Sequence, residues 1–144
     1  MSYEIKCTAC GHPSENLLDY KCQKCGNPLD LRLNIAFDTK GVRKRVHGVW
    51  RYTKFFPYVK TSDIVTLGEG WTPLVKFSKN VYFKLEGLNP TGSFKYRGST
   101  VLISAIHKHV KAYGGFVSED SSGNAGASIA VSYTHLTLPT NREV

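Results

Sequence analysis

The chain has 144 residues, about the size of one ordinary domain, so an enzyme with two lobes and a cofactor between them would be crowded within it. With 41% hydrophobic and 21% charged residues, its composition is typical of a soluble protein with a packed core. The net charge of +8 keeps nucleic-acid binding among the candidate functions, whereas the sequence has neither an apolar run approaching about 20 residues nor a signal-peptide pattern, which excludes a membrane-spanning helix and favours the cytoplasm.

Two near-copies of a Cys-x-x-Cys-Gly motif lie in the predicted head, residues 1–30. The four cysteines are Cys7, Cys10, Cys22 and Cys25. In a reducing compartment, two such pairs are more typical of a tetrahedral zinc site than of two disulfides. Because protein sulfurs fill all four positions, we predict a structural zinc ribbon, in which Gly11 and Gly26 close the two motifs at positive φ. A redox pair and bound iron remain alternatives.

The predicted connector, residues 31–62, carries almost all of the excess positive charge. Between residues 39 and 62 there is no acid, and the seven basic residues are Lys40, Arg43, Lys44, Arg45, Arg51, Lys54 and Lys60. The simplest interpretation is a solvated basic face or linker, followed by attraction of an anionic small substrate or partner. Nucleic-acid binding comes third, although aromatic residues that could stack on bases lie among the charges, at Trp50, Tyr52, Phe55 and Phe56.

The predicted body, residues 63–130, alternates strand and helix. Residues 81–85 are apolar and aromatic enough for a strand, and Ser93 can cap the helix that follows. The apolar stripe of that helix consists of Leu102, Ile103, Ile106 and Val110. Residues 116–118 would form the next strand, and a second helix would begin at Ala125. This order predicts an α/β fold with a parallel sheet and right-handed crossovers.

The last segment, residues 131–144, does not continue the helical pattern. It brings three threonines and a proline into what should be a helix interior, so we predict that the helix ends at Ala130. Residues 131–136 also look like a translated frame of a transposon-end adapter used in sequencing-library preparation. We therefore interpret residues 131–144 as a non-native tail and assign no site residue to it. A natural, divergent terminus is the alternative.

The most specific motif lies in residues 84–98. Its central part, Asn-Pro-Thr-Gly-Ser-Phe-Lys at residues 89–95, is followed by Arg-Gly and is similar to the lysine motif of fold-type II pyridoxal-phosphate enzymes. The resemblance implies that Lys95, in the first turn of the predicted helix, holds the cofactor as a Schiff base. Tyr96 follows where the family often has an acid. The alternative is an exposed lysine on an ordinary helix.

A second part of the resemblance lies in residues 118–126. Small residues and backbone N–H groups ahead of a helix can form an anion site, and in this family the corresponding loop binds the substrate carboxylate. The resemblance assigns substrate binding to Ser121, Ser122, Gly123 and Asn124, and a cofactor-ring contact to Asn124 as well. Taken alone, such a turn is more often a helix cap. Residues 67–74 match the Thr-Pro-Leu element of the family, which we interpret as a structural turn.

As a whole, residues 7–130 resemble the threonine synthases that carry an amino-terminal zinc ribbon. The resemblance implies a zinc ribbon followed by the start of a tryptophan-synthase-β-like, three-layer parallel sheet. It implies conversion of O-phospho-L-homoserine and water into L-threonine and phosphate, with pyridoxal 5′-phosphate as electron sink. The full-length protein is expected to be cytoplasmic and able to form homo-oligomers, without a membrane or nucleic-acid partner.

The phosphate-cradling loop of this family comes later in the sequence than anything present here, so the chain alone is expected to be inactive. A threonine dehydratase-like elimination enzyme and a zinc-ribbon nucleic-acid-binding module are the alternatives.

Overall fold

A computed structural model describes residues 2–137, with side chains through residue 134. Within residues 2–137, the elements are five strands and two α-helices: β1 (Tyr3–Cys7), β2 (Pro13–Ser14), β3 (Leu29–Leu33), β4 (Leu74–Ser78), β5 (Val81–Lys84), α1 (Lys95–Ala112) and α2 (Asn124–Thr137). Short 3₁₀ segments span Thr39–Gly41, Gly48–Phe55, Thr61–Asp63 and Glu86–Leu88, and the second is interrupted by a kink at Tyr52. Among the described residues, neither α-helix combines the length and the apolar composition that a membrane crossing requires.

The head is a small antiparallel sheet in the order β2-β1-β3. Its two cysteine motifs have the same local geometry, because Gly11 N–H donates to the Cys7 carbonyl at 3.1 Å and Gly26 N–H donates to the Cys22 carbonyl at 2.9 Å. Gly11 has a φ of 69° and Gly26 a φ of 73°, which confirms the predicted positive φ at both positions. A residue with a Cβ would be strained in either turn.

The connector contains two buried aromatic side chains, and its Val49 N–H donates to the Glu69 carbonyl of the body at 3.1 Å. Trp50 and Phe55 are 4% and 8% exposed, whereas the basic side chains of Arg43, Lys44 and Arg45 are exposed. Burial removes those two aromatic rings from the set that could stack on nucleic-acid bases.

The core of the body lies between the two helices. Val65, Ile103 and Ile129 form its centre. Both backbone groups of Val65 are bound to α1, because its N–H donates to Ser104 Oγ at 2.9 Å and its carbonyl accepts from the Thr100 hydroxyl. The segment before β4 is therefore fixed to the first helix.

Helix α1 is confirmed, but its buried face differs from the predicted stripe. Ile103 is fully buried, whereas Leu102 is 44% exposed and lines an apolar cavity of about 520 Å³ between the head, the connector and α1. The buried face contains small polar residues instead, at Ser99, Thr100 and Ser104. Small side chains allow α2 and the Val65 segment to approach α1 closely, and their hydroxyls find hydrogen-bond partners there.

The predicted parallel sheet is not present among residues 2–137. The strand predicted at residues 81–85 exists as β5, but β5 pairs antiparallel with β4, and residues 116–118 do not form a strand. Composition identifies a segment that can be extended, whereas a strand also needs a neighbour to receive its hydrogen bonds. Residues 79 and 80 supply a tight turn, so the nearest neighbour of β5 is β4.

The prediction that the second helix ends at Ala130 is wrong, because α2 continues to Thr137. The hydroxyls that argued against a helix are bonded within it: Ser132 donates to the Ser128 carbonyl and Thr134 to the Ala130 carbonyl, both at 2.8 Å. Pro139 lies outside the described residues, as does the rest of the predicted tail from residue 138 onward.

Candidate functional site

Lys95 is the first residue of α1, and its side chain is exposed. The Lys95 backbone N–H donates to Ser93 Oγ at 3.3 Å, which fixes the start of the helix. Among the described residues, the Lys95 amine has no hydrogen-bond or ion-pair partner. An amine without a partner is free to react with an aldehyde such as that of pyridoxal phosphate, so the residue fits the group that the motif implies.

A polar network joins residues that lie before and after Lys95 in the sequence. Its centre is the carboxylate of Glu86, which accepts two hydrogen bonds from the Arg97 guanidinium, both at 2.8 Å. Thr72 Oγ1 donates to the same carboxylate at 2.7 Å, and Asn89 Nδ2 donates to it at 3.0 Å. Asn89 Oδ1 in turn accepts from Gly70 N–H at 2.9 Å. Five residues from three separate segments are thereby joined.

The hydrogen bonds from Arg97, with further ones from Thr72 and Asn89, lower the pKa of Glu86 to about 2 despite its partial burial. Since the folded-state pKa is depressed, the stabilisation is present above the unfolded value near 4.5 and is lost as the pH falls through the folded value.

We expect Glu86→Gln to lower the free energy of unfolding at about pH 6 by about 1 kcal/mol, since partial exposure screens the ion pair. The difference from the parent chain should shrink as the pH is lowered toward about 2. Urea unfolding of both proteins at several pH values measures this, and a difference that does not depend on pH would contradict it.

A tryptophan in an unusual backbone conformation borders this network. Trp71 has a φ of 53°, its ring stacks on His47 at 4.5 Å between centroids, and the Arg51 guanidinium lies 4.6 Å from the ring centroid. Bulky residues seldom adopt positive φ. A cavity of about 300 Å³ opens here, lined by Gly48, Arg51, Tyr52, Trp71, Lys84, Glu86 and Arg97.

The second predicted site element stands at the start of α2. Asn124 is the first residue of that helix and is exposed, as are Ser122 and Gly123, whereas Ser121 is half-buried and its hydroxyl accepts from Gly123 N–H at 3.2 Å. The arrangement is a turn whose backbone N–H groups precede a helix, which suits an anion.

The two helices meet at a buried pair of hydroxyls. Ser99 Oγ and Ser128 Oγ are 2.6 Å apart, and each serine lies four residues after a predicted site residue, Lys95 or Asn124. Lys95 and Asn124 are therefore each about 6 Å along their own helix from one common contact.

Tyr96, which follows the lysine, points into the protein interior. Its side chain is fully buried, and burial raises the pKa of the phenol. Among the described residues, the Tyr96 hydroxyl has no hydrogen-bond partner of good geometry.

The four cysteines form the only group of metal-binding side chains found among the described residues. Their sulfur atoms lie within 4.8 Å of one another, with individual distances of 3.4 Å (Cys7–Cys25), 3.5 Å (Cys10–Cys25) and 3.7 Å (Cys10–Cys22). A tetrahedron with Zn–S bonds of about 2.3 Å has edges of about 3.8 Å, so the spacing fits one metal ion.

Backbone groups around the sulfurs support the thiolate form. N–H groups of residues 9 and 10 point at Cys7 Sγ, at 3.4 and 3.5 Å, and the N–H of residue 24 points at Cys22 Sγ at 3.3 Å. The Asn27 side chain amide likewise donates to Cys25 Sγ at 3.5 Å. Metal ions bind the thiolate, so such donors favour the ligand state.

The sequence motifs identified the lysine, the asparagine loop and the cysteines, but not the network behind Lys95. Thr72, Glu86, Asn89 and Arg97 all lie within the quoted motifs, yet nothing in their spacing indicated that one carboxylate joins them. The available signal was an acid and a basic residue on either side of the Asn-Pro-Thr-Gly-Ser-Phe-Lys segment.

Comparison with known proteins gives one family match, to "Pyridoxal-phosphate dependent enzyme", over residues 65–138. The threonine synthase of Methanosarcina acetivorans is 36% identical over 90% of this chain and 34% of its own length. That of Methanocaldococcus jannaschii is 42% identical over 62% of this chain and 23% of its own length, and that of Synechocystis is 43% identical over 51% and 22%. The chain thus spans about a quarter to a third of the length of these relatives. No solved structure gives a significant match.

Proposed function

The chain belongs to the pyridoxal-phosphate dependent enzyme family, and from that premise we propose that it is the amino-terminal part of a threonine synthase. The proposed reaction converts O-phospho-L-homoserine and water into L-threonine and phosphate, a carbon–oxygen lyase reaction on a phosphate ester. The observation that carries the proposal is the unpartnered amine of Lys95, held at the start of α1 within the family's lysine motif. Similarity to threonine synthases from several organisms supports the choice of substrate.

Two groups of residues would act on the substrate and cofactor. When bound, pyridoxal phosphate supplies an electron sink for carbanions beside the amino-acid nitrogen. The Lys95 amine would hold the cofactor covalently and, once released, move protons to and from the substrate carbons. Ser121, Ser122, Gly123 and Asn124 would bind the substrate carboxylate through N–H groups at the start of α2, and the Asn124 amide would contact the cofactor ring.

For the head, we propose a structural zinc ion bound by Cys7, Cys10, Cys22 and Cys25. The near-tetrahedral spacing of the sulfurs and the N–H groups that point at them support this assignment. All four ligand positions come from the protein, so this site leaves no position for a substrate. We propose the cytoplasm as the working compartment, because a reducing environment keeps cysteines as thiols that a metal ion can bind.

The parallel three-layer sheet also remains a proposal, to be completed by parts of the enzyme beyond the described residues. Apolar side chains of the hairpin are exposed, with Leu74 at 63% and Phe77 at 72%, and Phe116 is 84% exposed. Surfaces of this kind are normally covered. We further propose that residues 131–144 are non-native and that the whole enzyme is a homo-oligomer.

A chimera tests the function. Residues 1–130 of this chain would replace the matching segment of the Methanosarcina acetivorans threonine synthase, and products from O-phospho-L-homoserine would be measured. We expect L-threonine and phosphate in equal amounts, because the grafted segment supplies the lysine and the carboxylate loop. The 144-residue chain alone should release no phosphate.

Two results would contradict the proposal. An inactive chimera that folds and binds pyridoxal phosphate at Lys95 would show that the segment does not support this reaction. Ammonia and a keto acid formed from L-threonine would indicate a dehydratase instead.

A further inference from the structure

The Glu86 carboxylate is hydrogen-bonded to residues on both sides of Lys95 in the sequence, so it holds both ends of the loop that leads into α1. At its amino-terminal end, Asn89 Nδ2 donates to Glu86 Oε2 at 3.0 Å and to the Glu86 carbonyl at 2.8 Å. At its carboxyl-terminal end, the Arg97 guanidinium forms a two-point ion pair with the same carboxylate. Lys95 lies between these two anchor points, two residues before Arg97.

The anchor is itself fixed to the rest of the protein. Thr72 and Asn89 are 5% and 4% exposed, so water does not readily replace their bonds. Thr72 Oγ1 donates to Glu86 and accepts from Arg97 Nη2 at 3.1 Å, and the Lys84 amine donates to the Thr72 carbonyl. The carboxylate therefore joins the turn after β5, the segment before β4 and the first turn of α1.

We propose that Glu86 is a positioning residue, which sets the direction of the Lys95 amine by holding both ends of the loop between Asn89 and Arg97. This inference rests on the proposed function, since it concerns the amine that would hold the cofactor. Glu86 itself does not contact the reacting atoms. A two-point guanidinium–carboxylate pair restricts rotation as well as distance, which a single hydrogen bond does not.

The test measures how selectively pyridoxal phosphate reacts with Lys95 in the 144-residue chain. The covalent product is fixed with borohydride, and peptide mass spectrometry gives the ratio of labelling at Lys95 to labelling at Lys111, an exposed lysine at the other end of α1. The ratio is internal to each molecule, so it does not depend on protein concentration or on the overall extent of labelling. Because unfolding would also lower the ratio, circular dichroism at the labelling temperature checks that each variant is folded. In Glu86→Gln we expect this ratio to fall about tenfold, because small errors in the placement of a reacting group cost one to two orders of magnitude in rate.

Asp63→Asn is the matched control. Asp63 also binds a basic residue of α1, Lys108, but near the opposite end of the helix from Lys95. Its ratio should equal that of the parent chain. Arg97→Gln should lower the labelling ratio as Glu86→Gln does. The double variant should lower it little further, because both substitutions break the same ion pair, Glu86–Arg97.

The outcomes separate the inference from the function. If Lys95 is no more reactive than Lys111 in the parent chain, nothing within this chain directs the Lys95 amine and the inference is overturned, whereas the proposed function is decided separately by the products of the chimera. If the parent is selective and Glu86→Gln retains that selectivity, only the inference is overturned. Should Glu86→Gln not fold, Arg97→Lys carries the same test, since it keeps the charge and removes the two-point geometry.

Discussion

Replacing Lys95 with alanine is expected to abolish site-specific attachment of pyridoxal phosphate to this chain. In the chimera with the Methanosarcina acetivorans enzyme, the same change should lower threonine formation by on the order of 10³-fold, because it removes both the covalent anchor and the proton-transferring amine. Borohydride fixation followed by peptide mapping measures the attachment, and phosphate release measures the activity. The fold should remain, since the Lys95 side chain is exposed and its amine forms no hydrogen bond or ion pair among the described residues.

Lys111→Ala is the control for this prediction. Lys111 is exposed in the last turn of the same helix, so its loss removes an equal charge without touching the start of α1. Attachment and activity should match those of the parent. If Lys95→Ala retained more than about a tenth of the attachment or activity, another lysine would hold the cofactor and the role assigned to Lys95 would be wrong.

Features that depend on neighbouring residues were predictable from the sequence. The two-residue spacing of each cysteine pair determines which sulfurs can share an ion, and the structure brings all four within 4.8 Å. Ser93, as a capping residue, likewise predicted a helix starting close to Lys95, and α1 begins at that residue. In both cases the physical cause acts over a few bonds, so a short window of sequence contains it.

Features that depend on distant partners were not predictable in the same way. Glu86 and Arg97 are eleven residues apart, and a charge pair at that separation forms only because a loop folds back. Strand β5 was identified, but its antiparallel pairing with β4 was not, because period-two patterning is the same for both kinds of sheet. The sequence pattern specifies which segments can be extended, and the available neighbour specifies how they pair.

Helix–helix contact was a further source of error. An apolar stripe selects Leu102, which is 44% exposed, whereas Ser99 is buried against Ser128. Hydropathy treats serine as a surface residue, but two small side chains let helix backbones come close and satisfy each other's hydroxyls. In α2, the hydroxyls of Ser132 and Thr134 are instead satisfied within the helix, by carbonyls four residues earlier, so the helix continues through both residues.

Removing the metal is expected to unfold the head while the body remains folded. The sheet β2-β1-β3 buries few apolar side chains, Ile5 among them, so we expect its stability to come largely from the proposed ion bound by Cys7, Cys10, Cys22 and Cys25. Structural zinc contributes on the order of 10 kcal/mol to such domains. The core around Ile103 lies outside the head and does not depend on the ion. Elemental analysis should give one zinc per chain, and hydrogen exchange after chelation should show loss of protection at Gly11 and Gly26 but not in α1.

Substitution within the head distinguishes loss of a ligand from loss of an ordinary polar contact. Cys22→Ser removes one sulfur ligand and should reproduce the effect of chelation. Added zinc should not restore the exchange protection of the head in this variant. Ser14→Ala removes a hydroxyl of β2 that donates to Asp19 at 2.6 Å, which should cost only about 1 kcal/mol and leave zinc binding intact.

If the head kept its exchange protection after chelation, hydrophobic burial would suffice to hold it, and the cysteines would need another role, such as the redox pair. Iron in place of zinc would change the identity of the ion but not the loss of protection, because either metal bridges the two motifs through the same four sulfurs.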